Sequence, residues 1–229
     1  MTNDGRFLLL QINDAVFPIG AYTQSYGLET YVQNGTVHDA ASAERYIRAN
    51  LTHAFVYSEL LCVRIAYARA AQEQLDELVQ LEALSRAARV PRELREAAFR
   101  LGGRFARTAR GLACDLLPVF DRYVDACGKT GMSHAVAYGA FCAAARLPLD
   151  EVLAAFAYAQ TSAMVVNAVK LVPLGQQAGQ RMLSDLRGLL GELCRTAQTL
   201  TADDLFRTAP GLDVRAMQHE RLYSRLYMS

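Results

Sequence analysis

The longest stretch without a charge, Val152 to Val169, constrains this chain more than any other feature. Its 18 residues would make a helix of roughly 27 Å at about 1.5 Å per residue. A bilayer core is about 30 Å thick, so length alone fits either a membrane span or a helix deep inside a protein. Content separates the two. Gln160, Thr161, Ser162 and Asn167 interrupt the run, and its apolar positions include six alanines against a single leucine. The run therefore predicts a central helix buried in protein, where neighbours satisfy those amides and hydroxyls. No membrane role is expected. At the N-terminus Phe7-Leu8-Leu9-Leu10 is too short for a signal-peptide core, and Gln11, Asn13 and Asp14 end it at once.

The rest of the chain reads as helices punctuated by glycine and proline. Gly20 precedes a helix over Tyr22 to Gln33, with Asn34-Gly35 as its left-handed cap. Asp39 or Ser42 can cap a helix from about Ala43 to Arg69. Further helices are expected at Gln72 to Arg89, from Pro91 to near Gly111, and at Asp115 to Ala126. Ser133 to Arg146, Leu149 to Val172 and Gly175 to Leu200 follow. Thr201 with Asp204 looks like a capping box, and Asp213 opens a last helix, Val214 to about Tyr227. Alternating strand patterns are scarce. The expected fold is an all-α, single-domain bundle of roughly 8–10 helices over residues 1–229, with a tail at about 213–229.

Composition removes several function classes. A chain that is 52% apolar with net charge +1 is not disordered, and it lacks the strongly basic balance of a polyanion binder. No nucleic-acid role is expected. Cys62, Cys114, Cys127, Cys142 and Cys194 form no C-x-x-C pair, so a reduced, cytoplasmic protein is expected. Enzyme signatures are poor: His38, His53, His134 and His219 show no metal-ligand spacing. A helical hydrolase or lyase using His134 or His219 remains the alternative reading, testable by whether either histidine lines a pocket. Arg100, Arg104 and Arg107 share a helix face. That face is ordinarily solvated, and a scaffold docking through it is a third reading.

Three segments carry more information. The first runs Phe17-Pro18-Ile19-Gly20-Ala21-Tyr22-Thr23-Gln24-Ser25-Tyr26-Gly27-Leu28-Glu29. The second runs Ala168-Val169-Lys170-Leu171-Val172-Pro173-Leu174-Gly175-Gln176-Gln177-Ala178-Gly179-Gln180. In it Gly175-x-x-x-Gly179 permits close helix contact, and Gln176 and Gln180 lie one turn apart. Lys170 there is one of only two lysines, Lys129 being the other. The third is His219-Glu220-Arg221-Leu222-Tyr223-Ser224-Arg225-Leu226-Tyr227-Met228-Ser229, rich in the Tyr and Arg that dominate interface hot spots.

Together these segments resemble the UreF family of urease accessory proteins. That family shows F-P-x-G turning into S-x-G-L-E, then V-K-L-V-P-x-G-Q-Q, and an ending H-E-x-x-Y-S-R-L-F-x-S. All three occur here in order over essentially the full chain. Gln24 stands where many relatives carry His or Trp, and Tyr227 replaces the usual Phe. The resemblance implies an all-α, non-catalytic accessory protein of urease maturation that forms homodimers and holds no cofactor tightly, nickel being the cargo of the assembled complex. It implies binding to UreD (UreH), recruitment and modulation of the GTPase UreG, and engagement of apo-urease. It places the GTPase-facing surface near Lys170, Pro173, Gln176 and Gln180. The UreD-facing surface would be His219, Glu220, Arg221, Tyr223, Ser224 and Arg225, in a tail expected to be mobile until a partner orders it. Pro18, Gly20, Ser25, Gly27, Leu28 and Glu29 form the N-terminal motif. Gln160, Met164 and Asn167 share a helix face and are expected to be a satisfied polar stripe in the core or a dimer interface.

Overall fold

Every regular element is helical in the computed structural model, which describes residues 1–21, 24–112, 117–207 and 209–228 and shows no strand among them. Helix α1 (Asn3–Ile12) is followed by the short α2 (Leu28–Gln33). Next, α3 (Ala40–Asn50) runs without a break through a π-helical segment, Leu51–Leu60, into α4 (Leu61–Ala71). Helices α5 (Leu75–Ala88), α6 (Arg92–Ala109) and α7 (Pro118–Cys127) lead to α8 (His134–Ala144) and α9 (Leu149–Leu171). Then come α10 (Gln176–Asp185), α11 (Arg187–Thr199), a 3₁₀ turn at Ala202–Asp204, and α12 (Pro210–His219). The expected all-α fold is what forms. Buried apolar side chains from Leu9 to Ala197 make one contiguous core.

The uncharged run becomes α9, whose Val152, Leu153, Phe156, Ala157, Met164 and Val165 are buried. It is long and apolar enough to cross a membrane, yet 56% of its most apolar window is buried inside the protein. One of its buried polar interruptions is paired and one is not: Asn167 donates from Nδ2 to the carbonyl of Gln24 at 2.7 Å, whereas the buried Thr161 hydroxyl has no hydrogen-bond partner among the described residues. The most enclosed helix is α8, in which every residue is buried. Small side chains make that possible. A Cβ on Gly139 would lie 2.4 Å from the Val63 carbonyl oxygen of α4, so the two backbones approach as closely as a glycine allows.

Several helix boundaries move for identifiable reasons. Helix α1 was not expected; Thr2 caps it through Oγ1, which accepts from the Gly5 amide at 3.1 Å, and Leu9 and Ile12 pack inward. The expected helix from Tyr22 begins only at Leu28, because Tyr26 and Gly27 have φ of 55° and 84°, which a right-handed helix does not admit. Tyr22 and Asp115, both expected helix starts, lie outside the described residues. The single helix expected over Gly175 to Leu200 is interrupted at Leu186, beside which Arg187 donates to the Ser184 carbonyl and hydroxyl at 3.2 and 2.6 Å. The last helix runs Pro210–His219 instead of Val214 to Tyr227. Two capping expectations hold: Asp39 and Ser42 form a reciprocal box, as do Thr201 and Asp204.

One buried carboxyl group is part of this framework. Helix α8 lacks a side-chain cap of its own, and Glu82 of α5 takes that role, its two oxygens accepting from the Ser133 amide at 3.0 and 2.9 Å. The Tyr123 hydroxyl donates to the same carboxyl group. Burial pushes Glu82 up to about 7, against the downward pull of its hydrogen bonds and of Arg89. A group raised in the folded state binds protons that the unfolded chain has released, so its contribution to stability falls as pH rises from about 4.5 to about 7. Urea unfolding of wild type and Glu82→Gln across pH checks this. The variant should gain on wild type through that window and run parallel to it above. A constant difference from pH 4.5 to 7 would contradict the assignment.

Candidate functional site

The two ends of the chain are held together by one buried carboxylate. Gly27 starts α2 with φ of 84°, and a Cβ there would sit 3.4 Å from the backbone of Ala216. Glycine thus permits both the turn and the close packing of α2 on α12. Two residues on, Glu29 is 3% exposed and receives three polar contacts from the C-terminal segment. They come from the Leu226 amide at 2.7 Å, the Tyr227 amide at 3.1 Å, and His219 Nε2 at 3.1 Å. Here α12 ends, because the backbone beyond His219 leaves the helix and turns its amides toward Glu29.

His219 is fully buried between two carboxylates, its Nδ1 lying 2.6 Å from Glu93 of α6. A neutral imidazole has one N–H, so both contacts are hydrogen bonds only when the site carries a second proton. The other oxygen of Glu93 accepts from Arg225 Nη1 at 2.8 Å. Around this centre Gln33 donates to the Ser224 carbonyl at 2.7 Å, and Arg92 pairs with Glu220 at 2.8 Å. The Arg92 guanidinium holds Glu220 below its usual range. Tyr227 is buried, whereas Tyr223, Leu226 and Met228 face outward, as does Arg221. The tail makes these contacts at His219, Glu220, Ser224, Arg225 and the amides of Leu226 and Tyr227.

The N-terminal and C-terminal motifs, separate in the sequence reading, are therefore one site. Pro18 is exposed between buried Phe17 and Ile19. At Gly20, φ is 82° and a Cβ would lie 2.6 Å from Arg104 Nη1, which donates to the Ile19 carbonyl at 3.1 Å. Arg104 thus supports this turn, which explains one member of the arginine row as structural. Ser25 and Leu28 are buried beside Glu29. The second motif stays apart: Lys170, Pro173, Gln176 and Gln180 are all exposed, and no described hydrogen bond or ion pair joins them to the clasp. Close contact of α10 with α9 uses Gly179, whose Cβ would lie 2.7 Å from Val169 Cγ2, while Gly175 faces open space. Asn167 satisfies the expected polar stripe, but Gln160 and Met164 line a cavity instead. Glu93, Arg92 and Gln33 were not singled out from sequence as site residues; no local motif marks them.

The two histidines of the enzymatic alternative do not line that cavity. His134 packs against Phe105, Tyr138 and Phe156, and burial lowers it to about 4. Among the described residues no cluster of His, Cys, Asp and Glu suits a metal ion.

Fold and site together define an all-helical protein organised around its own joined ends. Comparison with known proteins makes this specific. The family model UreF matches residues 37–187. The urease accessory protein UreF of Actinobacillus pleuropneumoniae serotype 5b (strain L20) is 35% identical over 222 residues, covering 96% of this chain and 97% of that protein. Those of Lachnoclostridium phytofermentans and Nostoc sp. (strain PCC 7120) are 31% and 30% identical, over 96% and 99% of this chain and 97% of each relative. The chain belongs to the UreF family of urease accessory proteins.

The geometry ranks the clasp residues. Glu29→Ala removes three polar contacts from a buried position and should destabilise by about 3–5 kcal/mol. Glu93→Ala, more exposed, should destabilise less, and Arg92→Ala, at the surface, by no more than about 1 kcal/mol. Chemical denaturation of the three variants checks the order; a Glu29→Ala effect no larger than that of Arg92→Ala would contradict it.

Proposed function

We propose that this protein is a non-catalytic adaptor of cytoplasmic urease maturation that binds UreD (UreH) through the clasped C-terminal segment. The observation that carries this reading is the division of labour within the tail. Glu29, Glu93 and Gln33 fix His219, Ser224, Arg225 and the backbone of residues 226–227, while Tyr223, Leu226 and Met228 are turned to solvent. A pre-ordered segment loses little conformational entropy on docking, and an exposed tyrosine beside Arg221 has hot-spot chemistry. Glu220 and Arg225 then act by holding the presented residues in place.

The exposed row of Lys170, Pro173, Gln176 and Gln180 is the surface we assign to the GTPase UreG. One charge beside two amides suits a protein partner, and Gly179 seats α10 rigidly on α9 beneath it. Outward-facing Ala154, Tyr158 and Val166 of α9 are assigned to pairing with a second copy. The resulting assembly engages apo-urease, with nickel as its cargo.

Co-purification with separately tagged UreD and UreG tests both assignments. Tyr223→Ala should lower UreD capture at least about tenfold, the loss of one hot-spot residue of about 1.4 kcal/mol or more, and removing residues 219–229 should abolish it. Lys170→Ala should leave UreD capture intact and reduce UreG recruitment. Undiminished UreD capture without the tail would overturn the first assignment, and unchanged UreG recruitment by Lys170→Ala the second.

A further inference from the structure

Two arginines on α6 have no partner among the described residues, although the other arginines of that helix do. Arg92 pairs with Glu220 at 2.8 Å, Arg95 donates to the carbonyls of Arg89 and Val90 at 2.7 and 3.2 Å, and Arg104 braces Ile19. Arg110, just past the helix, pairs with Asp121 at 2.6 Å. Arg100 and Arg107 are exposed and make no ion pair or hydrogen bond among the described residues. Glu96 lies one turn before Arg100 without pairing with it. The two free guanidinium groups stand two turns apart, about 10 Å along one face of the helix.

Gly103 sits between them, and no contact within the described fold requires a glycine there. Its neighbour Gly102 is needed, since a Cβ would lie 2.1 Å from the Met132 carbonyl oxygen. A Cβ on Gly103 would meet nothing within 4 Å. Glycine inside a helix is destabilising relative to alanine. One that relieves no internal clash points to a chain that approaches the backbone from outside. Phe99, one turn earlier, borders this bare backbone on the side away from Arg107, and the Arg86 guanidinium lies over its ring at 3.7 Å. Arg86 is exposed and donates to the Thr130 carbonyl, next to exposed Lys129. Gly103 is thus a gap in the side chains with cations along both sides.

We propose that this strip of α6 is a docking site for an acidic segment of a partner protein. Carboxylates of that segment pair with Arg100, Arg107 and Arg86, and its backbone comes against Gly103. Guanidinium groups suit this role, because each matches a carboxylate with two parallel N–H donors. Nucleic acid fits less well, because Arg86 already covers the Phe99 ring on which a base would stack. A membrane also fits less well: none of the large apolar side chains exposed among the described residues is on α6. The strip shares no residue with the surfaces assigned above to UreD, UreG or a second copy, so its test stands apart from theirs.

The probe is a short, fluorescein-labelled, alanine-rich helical peptide with glutamates at i, i+4 and i+7, and its glutamine counterpart is the control. Anisotropy titration with the full-length protein at low salt should show saturable binding of the first peptide and none of the second. Arg100→Gln combined with Arg107→Gln should weaken binding at least about fivefold, as the loss of two exposed ion pairs implies. Gly103→Leu keeps every charge, projects into open space, and should fold normally yet cause a similar loss. Arg181→Gln combined with Arg195→Gln changes the net charge equally, away from the strip, and should bind as wild type does. Absence of saturable binding would overturn the proposal. So would an equal loss in the Arg181/Arg195 pair, or full affinity in a folded Gly103→Leu protein. Tighter binding of single-stranded DNA or phosphatidylserine vesicles, lost in the same variants, would overturn the choice of a protein partner.

Discussion

Glu29 is the residue on which the arrangement of the chain's two ends depends. Its carboxylate takes the amides of Leu226 and Tyr227 and the ring of His219, contacts separated from it by some 190 positions in sequence. A buried carboxylate is unfavourable without donors, and backbone amides leaving a helix are unfavourable without an acceptor. Each solves the other's problem. The local turn chemistry follows: positive φ at Tyr26 and Gly27 starts α2 where Glu29 can face α12, and Arg104 braces the turn before it.

The core supplies the rigid base for this contact. Helix α8 is enclosed by neighbours because its residues are small enough for backbones to touch, and the Ser133 amide just before it is held by Glu82 from another helix. Helix α9 anchors the N-terminal motif through Asn167 and supports α10 through Gly179. The two surfaces assigned to partners thus rest on one framework. They share no described hydrogen bond, so a change at one can leave the other in place.

Much of the fold was legible because helical periodicity and caps are local signals. The uncharged run gave α9, and Asp39 with Ser42 and Thr201 with Asp204 marked helix starts that form as expected. Misplaced boundaries have non-local causes. The end of α12 is set by Glu29, far away in sequence, and the late start of α2 by a left-handed turn at Tyr26, a residue type that does not advertise one. The site was half legible. Its motifs stood out as Ser25-x-Gly27-Leu28-Glu29 and His219-Glu220, whereas their pairing did not. Glu93 carries no local motif, and only the fold makes it the second carboxylate on His219.

Hydrogen exchange at the Leu226 and Tyr227 amides tests the clasp most directly, since these protons point at Glu29 and at nothing else described. In the isolated wild-type protein they should exchange at least about tenfold more slowly than in a free chain, as hydrogen bonds to a buried charge of about 1.5–3 kcal/mol each require. Glu29→Ala should bring both to free-chain rates while amides within α8 stay protected. Free-chain exchange at both positions in the wild-type protein would contradict the account.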